Sequence, residues 1–448
     1  MGLKRELRVI DIFSLALGAI IGWGCFVLPG TDFLPQAGPL GTLLGLSAGG
    51  IMVAIIGFNY GFLIEKYPEA GGEFVYAYRN LGPIMGFICG WFLLLSYISI
   101  IPMNATAIAM VGRYIFPGVL QHGYLYSVAG WEVYLGEVIA ATLFLVLFAW
   151  INIRGVRSMG NFQTLLVVLL VGTVLILTGS TFFLHESAAA NLSPAFPTGI
   201  TPLAAVMAIC AMAPWAFSGF DCIPQATEEY NFSHKKSKVL IMLSIAFAVL
   251  MYVCMTLVTA AYEPWEGFLA SAPLWPTGES VNAVTGTPGM VLLAIAMLCA
   301  VISGINGFYM SASRLIYSMS AFKALPPSFS KLSKTSTPKN AILFILLISL
   351  FAPWFGRQVL SWIVDMCSVG VSVAYFITSM VAFRRSKGES RPFIRVTGVL
   401  GMLVSLVFLA LLLVPGMPGF LAPESLIMLG IWVVLGVCFL LFKRRHQA

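Results

Sequence analysis

Two short glycine-bearing interruptions, Gly22-Trp23-Gly24-Cys25-Phe26 and Phe217-Ser218-Gly219-Phe220-Asp221, sit inside otherwise apolar runs of the chain. The chemistry they offer is that of the main chain. Where a helix stops and restarts, the half that begins offers free N–H groups and a positive dipole end; the half that stops offers free carbonyls and a negative end. Glycine opens backbone conformations closed to other residues and lets a ligand come close. The amides of Trp23, Gly24 and Cys25 are therefore expected to hold a carboxylate, as helix starts hold anions elsewhere. Carbonyls at Ala19, Ile20 and Ile21, and at Trp215, Phe217 and Ser218, are expected to hold an ammonium. A glycine pair in one span also serves close helix packing. A second break at the matching place of another span argues instead for a transporter's binding site.

The elements that must position these breaks follow from composition. The chain has 448 residues, 59% hydrophobic and 10% charged, against about 25% charged in a soluble domain. Apolar stretches of roughly 20 residues recur, the length needed to cross a ~30 Å hydrocarbon core. Twelve spans are expected, at 11–34, 40–65, 83–115, 133–152, 161–184, 200–230, 239–261, 288–319, 340–356, 358–382, 396–414 and 421–442. Lysine and arginine in the loops orient them: with both termini inside, all but Arg113 and Arg357 of the 25 basic residues face the cytoplasm. The basic start Met1-Gly2-Leu3-Lys4-Arg5 leads into a full span with no small-residue cleavage site, so an uncleaved first helix is expected. Glu6 occupies the Ser/Thr place of a myristoylation signal, which therefore fails.

Other function classes find no foothold. The eight cysteines fall in or at the ends of spans, without disulfide or CxxC spacing, and read as small packing residues. The four histidines lie in loops or the tail. No HExxH or nucleophile–base spacing suggests an enzyme, and no Gly-x-x-x-x-Gly-Lys run suggests nucleotide binding. No cofactor or metal is called for, and no basic–aromatic module suits nucleic acid.

The broken spans are the first and the sixth, which divides the first ten into two fives of opposite direction, as an inverted repeat requires. The expected organisation is 1–190 for the first repeat, 191–386 for the second, and 387–448 for two peripheral spans and a basic tail. The segment 262–287, with Trp265, Phe268 and Trp275, is expected to be an external lid or a packed loop.

At these residues the chain resembles the amino acid–polyamine–organocation superfamily of permeases. Gly22-x-Gly24-x-Phe26 with Pro29 is similar to the family's unwound first span. Tyr67-Pro68-Glu69-Ala70-Gly71-Gly72-Glu73-Phe74-Val75-Tyr76, then Gly82 and Gly90-Trp91, resembles its signature between spans 2 and 3. Trp215-x-Phe217-x-Gly219-Phe220-Asp221 with Glu228-Glu229 resembles its sixth span. Ser313-Arg314, Leu325-Pro326-Pro327 and Thr337-Pro338 resemble the end of its eighth span and the loop beyond. The resemblance implies an all-α, LeuT-type fold of five plus five helices with two peripheral ones, moving amino acids or related amines. It also implies that Trp215 gates the substrate, that Phe308 caps the pocket, and that Leu94 and Ile98 line it from span 3. The family usually has a small residue, often Ser, between the first-span glycines, where this chain has Trp23. That keeps open an amine lacking a carboxylate.

For coupling, the span-5 lysine of some members is missing here, since 162–184 holds none. Asp221 is the protonatable group nearest the site, and Ser303 and Asn306 with span-1 carbonyls are a candidate sodium site. Asp365 and Glu137 read as structural polar contacts, and Glu228, Glu229 and Lys235-Lys236-Lys238 as the solvated cytoplasmic end of span 6. The function expected is a secondary permease for small neutral amino acids in a bacterial cytoplasmic membrane. A small-amine or polyamine permease, a substrate sensor and a channel-like protein are the alternatives, and oligomeric state is left open.

Overall fold

The computed structural model describes residues 3–128 and 130–447; the Met1-Gly2 start lies outside them. Among the described residues, nine helices are long and apolar enough to cross a bilayer, one being the nearly continuous Val9–Lys66 stretch. Two shorter apolar helices, Pro202–Ala216 and Lys339–Phe355, accompany them.

The Val9–Lys66 stretch divides into α1 (Val9–Ile21), α2 (Gly24–Leu28), a π-turn at Pro29–Phe33, and α3 (Leu34–Lys66), which kinks at Gly38 before Pro39. The Arg8 N–H donates to the Asp11 carboxylate at 2.9 Å and so satisfies one orphan donor at the start of α1. Next come α4 (Gly72–Leu81) and α5 (Pro83–Ile115), then α6 (Leu135–Arg154) and α7 (Val156–Leu184). The second half holds α8 (Pro202–Ala216), the one-turn α9 (Cys222–Gln225), α10 (Ser237–Ala260), α11 (Trp265–Ala270) and α12 (Pro276–Ala321). The chain ends with α13 (Lys339–Ser349), α14 (Gly356–Gly388), α15 (Pro392–Leu413) and α16 (Pro423–Gln447).

Two features depart from the sequence reading. A small antiparallel hairpin, β1 (Tyr124–Val128) with β2 (Trp131–Tyr134), sits between α5 and α6. Trp131 of β2 stacks on α5: the Arg113 guanidinium lies 4.1 Å from its ring centre and is paired with Glu137 at 2.5 Å. The expected lid at 262–287 is largely helical: α11 fills part of it, and α12 begins at Pro276, bending at Gly286.

The core lies where α1, α7, α10 and α12 meet, flanked by α3 against α8 and α5 against α12 and α14. α16 is largely exposed on its flank. Such exposed apolar surface suits a lipid solvent, in which a helix is apolar all round.

Candidate functional site

Helix α1 stops at Ile21 because Gly22 takes φ +43° and ψ −160°, a conformation that L side chains rarely adopt. Gly22 and Trp23 separate it from the restart at Gly24. In the second half α8 ends at Ala216, and the backbone winds through 217–221 before α9, with Gly219 at φ +131°. A Cβ on Gly219 would lie 2.6 Å from the backbone nitrogen of Ile20. The two interruptions therefore meet backbone to backbone, and only glycine permits it.

Between them lies a cavity of about 260 Å³, lined by Ala19, Ile20, Ile21, Gly22, Trp23, Gly24, Ile100, Asn104, Trp215, Ser218, Tyr252 and Phe308. The Trp23 and Trp215 rings approach to 5.7 Å between centres, tilted by 57°. A Cβ on Gly24 would come within 2.8 Å of the Trp215 ring and 3.2 Å of the Tyr252 hydroxyl. That hydroxyl donates toward the carbonyls of Ile20 and Ile21 at 3.3 and 3.4 Å, the open end of α1. Two buried oxygens at the cavity have no partner: Asn104 Oδ1 and Ser218 Oγ. Asn104 Nδ2 donates to the Ile100 carbonyl at 2.9 Å, which leaves Oδ1 as an acceptor facing the break. No side chain on the lining carries a charge.

The structure brings together most of the residues singled out above, and separates others. Ile21, Gly22, Trp23, Gly24, Trp215, Ser218 and Phe308 line the cavity, whereas Cys25 is buried without doing so. Phe217 instead packs toward Gly49 and Gly50 of α3. Leu94 and Ile98 of α5 are buried away from the cavity, and Ile100 and Asn104 take their place. At 3.6 residues per turn that is about a third of a turn around the helix.

The two coupling candidates, Asp221 and the Ser303–Asn306 pair, have different surroundings. Asp221 Oδ1 accepts the Gly219 N–H at 2.6 Å, and the Asp221 carbonyl accepts the Tyr97 hydroxyl at 3.0 Å. Asn306 lies elsewhere, in a cleft of about 430 Å³ with Asp11, Asn152, Gln163 and Arg314, where its Oδ1 accepts from Asn152 Nδ2 at 3.3 Å. Ser303 faces Gly18 and Gln163 on that side, with its hydroxyl unpartnered.

The solvated end expected at Glu228 and Glu229 is corrected. Glu229 is buried, and it accepts Arg314 Nε at 2.7 Å in an ion pair only 1–2% exposed. The sequence pattern reads as a charged loop, but the chain folds this carboxylate inward to match an arginine that a helix end would otherwise bury alone. Glu137 and Asp365 are polar contacts, the first with Arg113 and the second accepting from Ser425 at 2.9 Å.

Comparison with known proteins fits this geometry. A family model described as amino acid permease matches residues 7–438. The chain belongs to the amino acid permease family. The permease is 25% identical to the methylthioribose transporter of Bacillus subtilis (strain 168), over 99% of this chain and 95% of that protein. It is 24% identical to the branched-chain amino acid permease BcaP of the same organism, over 99% and 94%. With the aromatic amino acid transport protein AroP of Escherichia coli O157:H7 it shares 25%, over 100% and 97%. The permease is thus a multi-pass membrane transporter of the amino acid–polyamine–organocation superfamily and not an enzyme. The substrates named for these relatives vary widely.

Proposed function

We propose that the permease is a secondary active transporter for small neutral amino acids, working by alternating access in a cytoplasmic membrane. In this reading it has twelve spans, a 5+5 inverted repeat at 1–190 and 191–386, two peripheral spans, and both termini inside. The observation that carries it is the uncharged cavity between the two interruptions. Main-chain groups at Trp23, Gly24 and Cys25 supply positive potential for a carboxylate, and carbonyls at α1 and α8 ends supply acceptors for an ammonium. Trp23 and Trp215 close over the remaining space, which favours a small, neutral side chain. The two unpartnered oxygens of Asn104 and Ser218 suit a substrate that offers a further hydrogen-bond donor. Asp221 is proposed as the group nearest the site able to couple a proton, whereas Asn306 lines a separate cleft.

The test is reconstitution into liposomes with a panel of labelled amino acids, amines and methylthioribose, with and without proton and sodium gradients. Saturable uptake of glycine, alanine or serine is the expected result; preference for an amine or for the thioether sugar would replace the reading. Gly24→Val serves as the control variant. Overpacking against Trp215 of about 1–3 kcal/mol predicts a ~5- to 150-fold loss of affinity in protein that still elutes as a folded species. Uptake at the native level would remove Gly24 from the site.

A further inference from the structure

Helix α4 lies at the basic end of the bundle, and its first turn packs directly on the segment that follows the span-6 interruption. A Cβ on Gly72 would lie 2.9 Å from Gln225 Nε2 and 3.0 Å from the Pro224 side chain. The next residue, Glu73, is fully buried. One of its oxygens, Oε2, accepts Gln225 Nε2 at 2.7 Å, and the other, Oε1, has no partner.

Among the described residues, the titratable groups acting on this carboxyl are neutral or acidic. From α3 comes Tyr60, from α4 itself Tyr76, from α5 Cys89 and Tyr97, from the span-6 segment Asp221 and Cys222, and from α14 Tyr375. Tyr60 packs on Phe220 and Tyr375, at 5.2 and 6.1 Å between ring centres, and its hydroxyl lies against the Glu73 carboxyl; Asp221 Oδ2 has no partner. Two nearby basic side chains are committed elsewhere, Arg314 to Glu229 and Arg79 to Glu69. An isolated buried carboxylate is so costly that the group takes up a proton instead. Two such carboxyls at one place cannot both ionise without a partner.

We propose that Glu73 is a proton-binding site of the permease, neutral while the basic end is closed and linked through Gln225 to the segment carrying Asp221. The proton resides on Oε1, since Oε2 accepts the Gln225 amide, and the Tyr60 hydroxyl is placed to receive it. The span-6 segment is fastened at this end by the Leu7 N–H donating to the Glu229 carbonyl and the Asn231 N–H donating to the Leu7 carbonyl, each at 3.0 Å. When that fastening opens, Gln225 parts from Glu73, water reaches the carboxyl, and the proton passes to it. The site is distinct from the substrate cavity, and it stands whichever solute the permease carries.

Infrared spectroscopy of the full-length protein in nanodiscs tests this without any substrate, so its failure is separate from failure of the transport reading. At neutral pH the wild type is expected to show the carbonyl stretch of a neutral carboxylic acid, sensitive to deuterium. Glu73→Gln, which copies the shape of the protonated acid, is expected to fold and to lose that intensity. A wild type without the band, or a Glu73→Gln spectrum that keeps all of it, overturns the proposal. Should that variant fail to fold, Gln225→Met gives the second reading. Losing the amide donor disfavours the ionised form, so the band must persist to higher pH than in wild type, and an unchanged titration overturns the proposal. Liposomes add the functional arm: stepping the pH on one side is expected to change wild-type uptake of the panel amino acids and to leave Glu73→Gln indifferent. Equal responses of the two proteins would overturn the exchange of this proton.

Discussion

The two ends of the bundle are closed by different physics. At the basic end the cover is ionic and main-chain: Arg314 pairs with Glu229 in full burial, and Leu7 bridges Tyr230 in parallel-strand fashion. The Leu3 N–H adds a bond to Glu228 at 3.1 Å. At the other end the cover is made by indoles. Trp275 Nε1 donates to the Phe26 carbonyl at 2.7 Å with Tyr114 edge-on at 5.4 Å, and Trp265 Nε1 donates to the Pro194 carbonyl at 2.9 Å. A buried ion pair has two discrete states, made or broken, and breaking it halfway leaves a stranded charge. Aromatic packing has preferred ring geometries and no charge to strand. The contrast is between a buried ion pair with main-chain bonds at the basic end and indole hydrogen bonds with ring packing at the end under 262–287.

The largest expected effect comes from splitting the ionic closure. Arg314→Met strands Glu229 in an apolar site, which costs about 3–5 kcal/mol. Thermal unfolding in detergent should show a large drop in Tm, or the protein should populate an opened basic end in hydrogen exchange at 3–8 and 228–231. Arg314→Met combined with Glu229→Leu should recover most of the loss, because an apolar pair of similar volume is often neutral. If the double variant is as unstable as the single, the pair is not the element that holds this end.

The same contrast bears on what can be read from the chain alone. The spans were legible because bilayer thickness demands long apolar runs, and the breaks because Gly22, Gly24 and Gly219 interrupt them. The face of α5 was not legible. In a helix that is apolar all round, periodicity does not say which side meets protein, and so Leu94 and Ile98 read as lining while Ile100 and Asn104 face the cavity. Tyr252 was missed for the same reason, as one aromatic within an apolar span. The burial of Glu229 and Glu73 was invisible because a carboxylate in a loop motif looks solvated until its partner, Arg314 or Gln225, is brought to it by the fold.

A smaller effect is expected at the indole closure. Trp275→Phe keeps the ring and removes one neutral hydrogen bond, a net of about 1 kcal/mol. Hydrogen exchange in the 262–287 segment should quicken about fivefold, while 3–8 and 228–231 keep their native rates. Quickening at both ends together would mean that the two closures are one cooperative unit, and the contrast would fall.

The smallest effect lies at the rim of the basic end, outside the spans, where Lys66 Nζ meets Glu389 at 2.6 Å. The hydrogen bond from Lys66 is the main cause that holds the Glu389 carboxyl below its ordinary value of 4.5, helped by the charges of Lys66, Arg385 and Arg391. A carboxyl depressed in the folded state contributes stability that is fully present above its ordinary value. That stability fades as pH falls through the lower, folded-state value. The pair is partly exposed and screened by salt, so it is worth less than about 1 kcal/mol. Glu389→Gln should therefore melt slightly below wild type at pH 7, and the two curves should converge on acidification below 4.5. A gap that stays constant with pH would mean that Glu389 acts by packing rather than by charge. The ionic character of the basic end would then rest on Arg314 and Glu229 alone.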